Sequence, residues 1–356
     1  MQNILFTLIL SVIYASTLPG VAHAVPPVAV LQPSAETTIM LEDGDIADDP
    51  AIWHREGQDG GGRILGTNKV NGLFVYDTAG NTVAHLKVGM VNNVDLVEIS
   101  GANINLAVAS NDGVNGISLF SLNQMSGEVT HMGDHPVGKT EPYGICLGIR
   151  DGGYVSAVTY KDGTIQIWEI PANFDEASAY PEKPARIFKI GGKIEGCVID
   201  REGKELFVGQ EEYGVWMFDL TGDKSGPIEV VRITSENEIV GDIEGLTLYE
   251  PEEGQQYLIL SSQGSDMYYV LEKAPDYRIC YRFKLAGNTN LQPEIDKVTH
   301  TDGIAVTYLP VMPDYPEGLF VAQDDKNEGV SGRIQNYKII GWPKIAEGIS
   351  QAGVCQ

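Results

Sequence analysis

The sequence predicts an all-β fold, a six-bladed β-propeller, on three observations. A short unit returns six times along the chain: a polar or acidic residue, then usually Gly or Pro, then an apolar strand. Each return is followed by a hairpin rich in β-branched and aromatic residues, interrupted once near its middle by turn residues. Convincing amphipathic helices are absent, and NFDEASAY near 173 offers one helical turn or two. Units of about 50 residues that each supply three or four strands have the period of propeller blades.

The chain opens on a segment of another kind. Residues 1–24 carry no Asp, Glu, Lys or Arg, hold an apolar run from Ile4 to Ala15, and end in Ala22-His23-Ala24. This reads as a secretory signal peptide cut after Ala24. The propeller domain is expected over residues 25–345, with a C-terminal tail at 346–356. DDPAIWH at Asp48 leads into the hairpin at 63–77, and NNVDLVEI at Asn92 leads into 104–122. PYGICLGI at Pro142 precedes 154–170, and IEGCVID at Ile194 precedes 204–220. IEGLTLY at Ile243 precedes 256–272, and TDGIAVTYL at Thr301 precedes 318–339. Aligning Asp49, Asn93, Tyr143, Glu195, Glu244 and Asp302 gives spacings of 44, 50, 52, 49 and 58 residues.

Composition narrows the partners. The 356 residues are 43% hydrophobic and 21% charged, with a net charge of −25. That charge argues against nucleic acid and anionic membranes. It fits either a solvated acidic surface or carboxylates neutralised by bound cations. Beyond the leader no stretch is long enough to cross a bilayer. Export permits disulfides, and the four cysteines, Cys146, Cys197, Cys280 and Cys355, allow three pairings among which the sequence does not choose. Cys146 and Cys197 fall three and two residues after aligned positions of consecutive blades, which brings them near one another and leaves Cys280 with Cys355.

Propellers set the start of each innermost strand around a central channel, so Asp49, Asn93, Glu195, Glu244 and Asp302 are expected to face one another near one mouth. Such carboxylates repel by on the order of several kcal/mol in a partly dry site, and a hard cation relieves this. Oxygen ligands without His or Cys favour calcium over magnesium or manganese. An EF-hand is excluded, because the sixth position counted from Asp43 is Asp48 rather than Gly. No G-x-S-x-G elbow, Arg-His-Gly run or Cys-x5-Arg loop is present, so the hydrolytic chemistry left is metal-based.

ADDPAIW, TNKVNGLFVY, NNVD, DIEGLT, SSQG, TDGI and YPEGLFVAQD occur in this order at blade spacing. Together they resemble the β-propeller phytases, calcium-dependent alkaline phosphatases of inositol phosphates, over roughly residues 35–345. The resemblance implies calcium ions at the channel mouth that bridge phosphate oxygens. It implies direct attack on phosphorus by a metal-bound water, without a covalent enzyme intermediate, and a neighbouring site for a second phosphate. Carried over motif by motif, the metal ligands would be Asp49, Asn93, Asp95, Glu195, Glu211, Asp242, Glu244, Gln263, Asp302 and Asp324. Lys69, Tyr143 and Lys161 would contact phosphate, with Glu211 and Asp302 completing the catalytic set. Simpler roles compete: Asp49 before Pro50 shapes a turn, Asp242 pairs with a lysine, Glu211 is a wet surface acid, and lone hairpin lysines are solvated. One position departs from the family. Where an arginine is usual after Ser-Asn, this chain reads Ser110-Asn111-Asp112. The expectation is a monomeric phytase exported to the periplasm or beyond, acting on calcium-phytate or other inositol phosphates. A non-catalytic propeller that binds calcium and phytate, and a calcium-dependent lactonase-like propeller, are the alternatives.

Overall fold

The recurring units fold as antiparallel meanders. The computed structural model describes residues 25–55, 61–150, 152–173, 181–222, 226–273 and 276–355. The expected leader, residues 1–24, lies outside them, as does most of NFDEASAY. Two short strands come first, β1 (Val28–Leu31) and β2 (Ala35–Glu36). Blade 1 is β3 (Ala47–Trp53), β4 (Arg63–Asn68), β5 (Gly72–Tyr76) and β6 (Thr82–Leu86). Blade 2 is β7 (Val91–Val97), β8 (Ile104–Asn111), β9 (Gly116–Asn123) and β10 (Val129–Pro136). Blade 3 is β11 (Ile145–Arg150), β12 (Gly153–Thr159), β13 (Thr164–Ile170) and β14 (Arg186–Lys189). Blade 4 is β15 (Ile194–Ile199), β16 (Glu205–Gln210), β17 (Gly214–Asp219) and β18 (Ile228–Arg232). Blade 5 is β19 (Ile243–Tyr249), β20 (Tyr257–Ser262), β21 (Met267–Glu272) and β22 (Ile279–Leu285). Blade 6 has three strands in chain order, β23 (Ile304–Thr307), β24 (Leu319–Asp324) and β25 (Asn336–Gly341).

The fourth strand of blade 6 comes from the other end of the chain: β2 pairs antiparallel with β25, Ala35 opposite Ile339 and Glu36 opposite Lys338. β1 adds a fifth, parallel strand outside β22 in blade 5. The inner strands touch in sequence from β3 through β7, β11, β15 and β19 to β23, and β23 returns to β3, so the ring is closed.

Six apolar clusters sit between neighbouring blades. Trp53, Val75 and Phe120 join blades 1 and 2. Phe207, Leu246 and Tyr269 join blades 4 and 5. Burial on both faces explains why inner and middle strands read as near-continuous apolar runs, as in β8. The outermost strand β10, packed on one face, alternates from Thr130 onwards. Side chains also tie inner strand to inner strand. Asp49 Oδ2 accepts the Val94 N–H at 3.2 Å, Asp95 Oδ2 the Leu147 N–H at 2.8 Å, and Thr247 Oγ1 the Val306 N–H at 3.1 Å.

Both cysteine pairs form disulfides, Cys146–Cys197 between blades 3 and 4 and Cys280–Cys355 between β22 and the C-terminal segment. That segment corrects the expectation of no amphipathic helix. Helix α1 spans Trp342–Ala352 and buries Trp342, Ile345 and Ile349 against blades 5 and 6. Pro343 stands at its start, and Gly353, at a φ of 62°, ends it. With three buried side chains in eleven residues and Gly348 in its interior, it leaves little periodic signal. The boundary drawn after residue 345 falls inside this helix.

Candidate active site

Strand register decides which residues face the channel mouth. In blade 1, Ala47 pairs with Asn68 and Pro50 with Gly66, so Asp48 and Asp49 together oppose Thr67. This is a β-bulge, two residues against one. It recurs at Asn92-Asn93, Glu195-Gly196 and Glu244-Gly245. The second residue of the pair donates its N–H to the opposing hydroxyl: Asp49 to Thr67 at 2.9 Å, Asn93 to Ser110 at 3.0 Å, Gly245 to Ser261 at 2.8 Å. Gly144 does the same to Thr159 at 3.0 Å, which puts Tyr143 in the first position of blade 3. In blade 6, Ile304 opposite Ala322 puts Asp302 there.

The ring at the mouth is therefore Asp48, Asn92, Tyr143, Glu195, Glu244 and Asp302, all buried. The sequence alignment is one residue out in blades 1 and 2, where it used Asp49 and Asn93. The glycine after the ring position has a steric cause. A Cβ on Gly144 would stand 2.0 Å from the Glu195 carbonyl oxygen, and one on Gly196 would stand 1.8 Å from that of Glu244. Adjacent inner strands meet too closely here for a side chain.

Two residues beyond the position facing each bulge, the hairpins supply a second tier: Lys69, Asp112, Lys161, Glu211, Gln263 and Asp325. The two tiers form two clusters. On one side, Glu195, Glu211 and Glu244 are all buried and each offers an oxygen within 4.8 Å of the others. Glu195 Oε1 and Glu244 Oε2 have no hydrogen-bond partner. The Tyr143 hydroxyl bonds Glu195, and Lys193 Nζ lies 2.8 Å from Glu211 Oε1. The Lys161 ammonium sits 4.3 Å above the Tyr143 ring and that of Lys193 5.1 Å from it. On the other side, Lys69 Nζ stands 3.0 Å from Asp45, 3.2 Å from Asp48 and 3.5 Å from Asp302. Gln263 donates to Asp302 Oδ1.

Burial raises these acids first, and the charges of their neighbours add to it. Asp48 is pushed up to about 7 and Asp302 to about 8, each partly offset by Lys69. Glu195, Glu211 and Glu244 are raised for the same leading reason. A carboxyl that holds its proton more tightly folded than unfolded stabilises the fold at low pH, and that stability is lost as pH rises through the folded pKa. Metal-free protein is therefore expected to melt at progressively lower temperature from about pH 5 to about pH 8, with a total loss on the order of several kcal/mol. Melting curves in chelator across that range test this, and a midpoint that rises with pH would refute it.

The donors present fit a hard cation. They are carboxylates and amide oxygens with no Cys or His among them, two buried carboxylate oxygens lack partners, and oxygens within 4.8 Å of one another suit metal–oxygen bonds of about 2.4 Å.

Of the residues named from sequence, the structure brings Tyr143, Glu195, Glu244 and Asp302 into the ring and Lys69, Lys161, Glu211 and Gln263 into the second tier. Asp242 is half-buried, and its charge helps raise Glu211. Asp49, Asn93 and Asp95 line the wall of a central cavity of about 280 Å³. There Asp49 and Asp95 hold the next blade's backbone. Asp324 points away from the mouth to Lys338 Nζ at 3.1 Å and the Thr299 N–H at 3.0 Å. Its neighbour Asp325 takes the tier position, beside Arg333. Sequence reasoning missed Asp48, Asn92, Lys193 and Asp325. Asp112 does reach the tier, with Asn92 Nδ2 3.4 Å from its Oδ2 and its Oδ1 buried without a hydrogen-bond partner.

Comparison with known proteins places the chain in a family. The model of the Phytase family matches residues 2–353. The 3-phytase of Bacillus subtilis (strain 168) is 33% identical over 329 residues, 89% of this chain and 84% of the relative. Among solved structures, a chain of the nidogen/laminin complex aligns over 75% of this chain and 82% of its own length, at 15% identity and a TM-score of 0.44. That last likeness carries no argument. The family match runs nearly end to end, and the relative shares a third of its residues with this chain over most of both lengths: the chain belongs to the phytase family.

Proposed function

We propose that this phytase, a phosphoric monoester hydrolase, is an exported, calcium-dependent enzyme that releases phosphate from inositol phosphates at the channel mouth. The observation that carries the reading is the convergence of Glu195, Glu211 and Glu244, buried, with two unpartnered oxygens. These three would hold calcium, with Asp48 and Asp302 forming a second acidic pocket around Lys69. The chemistry calcium supplies there is Lewis acidity toward phosphate oxygens and acidification of water for direct displacement at phosphorus. The chain's own groups do the rest. Lys161 and Lys69 set fixed positive charge at the rim, where a polyanion must arrive. The Tyr143 hydroxyl orients Glu195, and its ring seats the lysines. The rigid inner strands fix all of these by backbone hydrogen bonds. Export is supported by the leader composition of residues 1–24 and by two disulfides. The enzyme is taken to act as a monomer, with no membrane contact once the leader is cleaved.

A second reading, a non-catalytic binder of calcium and phytate, has one observation in its favour: the tier position of blade 2 holds the carboxylate of Asp112, beside Asn92, and not a basic group. Phosphate release from phytate, measured with calcium and with excess chelator, separates the readings. Release that stops in chelator and returns with calcium is expected. Undiminished release in chelator would refute the calcium requirement, and no release in calcium would favour the binder.

A further inference from the structure

Lys193 is a basic residue at the mouth that neither the ring nor the hairpin tier contains. It immediately precedes β15, two residues before Glu195. Its side chain is half-exposed, with Glu211 Oε1 2.8 Å and the Tyr143 ring centroid 5.1 Å from its Nζ. Lys161 approaches the same ring at 4.3 Å. Two ammonium groups thus converge on one aromatic ring at the rim, and among the described residues only that of Lys193 has a carboxylate counter-charge within ion-pair distance.

We propose that Lys193 is a phosphate-binding residue of this site, forming with Lys161 a two-ammonium clamp over Tyr143 for a phosphomonoester dianion, and that it is released to this role when Glu211 turns to a divalent cation. The inference rests on the calcium reading above. Glu211 serves the ammonium or the cation at full strength, not both. A dication drawn into the glutamate cluster repels the ammonium beside it and removes its partner. With Glu195, Glu211 and Glu244 turned to the cation, the attractor left beside the ammonium is the Tyr143 face, which Lys161 shares. Two like charges held there repel each other until a dianion sits between them, so the clamp is complete only with phosphate bound. The ligand class follows from the charges: a tetrahedral oxyanion carrying about two negative charges, with oxygens for two ammonium donors at once.

The test uses the full mature protein and inorganic phosphate as probe. Phosphate is titrated calorimetrically into calcium-saturated wild type, Lys193→Gln and Lys193→Arg, and calcium is titrated separately into each. Loss of one charge-assisted contact is expected to weaken phosphate binding in K193Q by about tenfold, with most of the affinity kept in K193R. Calcium is expected to bind K193Q at least as tightly as wild type, because Glu211 has lost its competing partner. Equal phosphate affinity in wild type and K193Q, with calcium bound to both, would overturn the role of Lys193 alone. Failure of calcium to bind wild type would overturn the calcium reading and the exchange with it. A half-exposed lysine tolerates glutamine without loss of the fold, and a melting curve of each variant in chelator verifies this.

Discussion

Replacing Glu244 with glutamine is expected to lower kcat/KM for phytate by about a hundredfold or more while raising the melting temperature of the metal-free protein. Both effects have one cause. Glu244 is buried, its carboxylate faces that of Glu195, and burial together with that neighbour pushes its pKa well up. In the absence of a cation the charge is a burden, and removing it relieves on the order of 1–3 kcal/mol. In the working enzyme the same charge is one of three that would hold the cation, and losses of about a hundredfold are usual when a preorganised electrostatic contact is deleted. Steady-state kinetics in calcium and melting curves in chelator, run on the same preparation, give the two numbers. A variant within threefold of wild-type activity, or one less stable than wild type in chelator, would show that Glu244 is structural rather than part of a cation site.

The second large effect lies away from the mouth. Lys338→Met is expected to cost about 3–5 kcal/mol of stability, enough to leave the ring partly open at moderate temperature. Lys338 is fully buried, and its ammonium is ringed by oxygens: Asp296 at 2.6 Å, Asn327 at 2.9 Å, Asn336 at 3.0 Å, Asp324 at 3.1 Å, and the Glu36 carboxylate. Methionine fills the space and removes the charge, so three carboxylates are left facing one another without a counter-ion. Glu36 lies on β2, so the loss falls on the joint that closes the ring. Urea titration measures it, and a midpoint unchanged from wild type would show that the three acids find protons or water instead.

Much of the fold was legible in the sequence because a propeller repeats one supersecondary unit, and each repeat marks itself with a Gly-containing turn between apolar strands. The ring was legible where the motif is Glu-Gly, at Glu195 and Glu244, because steric contact with the next strand leaves glycine as the residue that fits the second bulge position. It slipped at Asp48-Asp49 and Asn92-Asn93, and the tier slipped at Asp324-Asp325. In each of these pairs two chemically similar residues stand side by side, and side chains on neighbouring strand positions face opposite ways. Composition cannot say which of the two stands at the mouth; the strand register does. Lys193 escaped notice for another reason. It sits in a loop before a strand, where nothing in the spacing distinguishes a rim lysine from a solvated one.

The pairing of Ala35 with Ile339 carries a kinetic consequence. Ribosomes make β2 before blade 1 and its partner β25 after the five other blades. Blades 1 to 4 have all four strands of their own and can condense as they emerge, each on the one before. Blade 6 cannot, because its outer strand was made about three hundred residues earlier and finds its partner only once β25 has emerged. Bringing the two ends together is the longest loop closure in the molecule, and it comes after the shorter, local hairpins have formed. The waiting intermediate exposes the apolar faces of β3 and β24 that the joint later covers. Refolding in vitro is therefore expected to end in a slow phase reported by the burial of Tyr337, and the chain is most prone to aggregate in the interval just before that phase is complete.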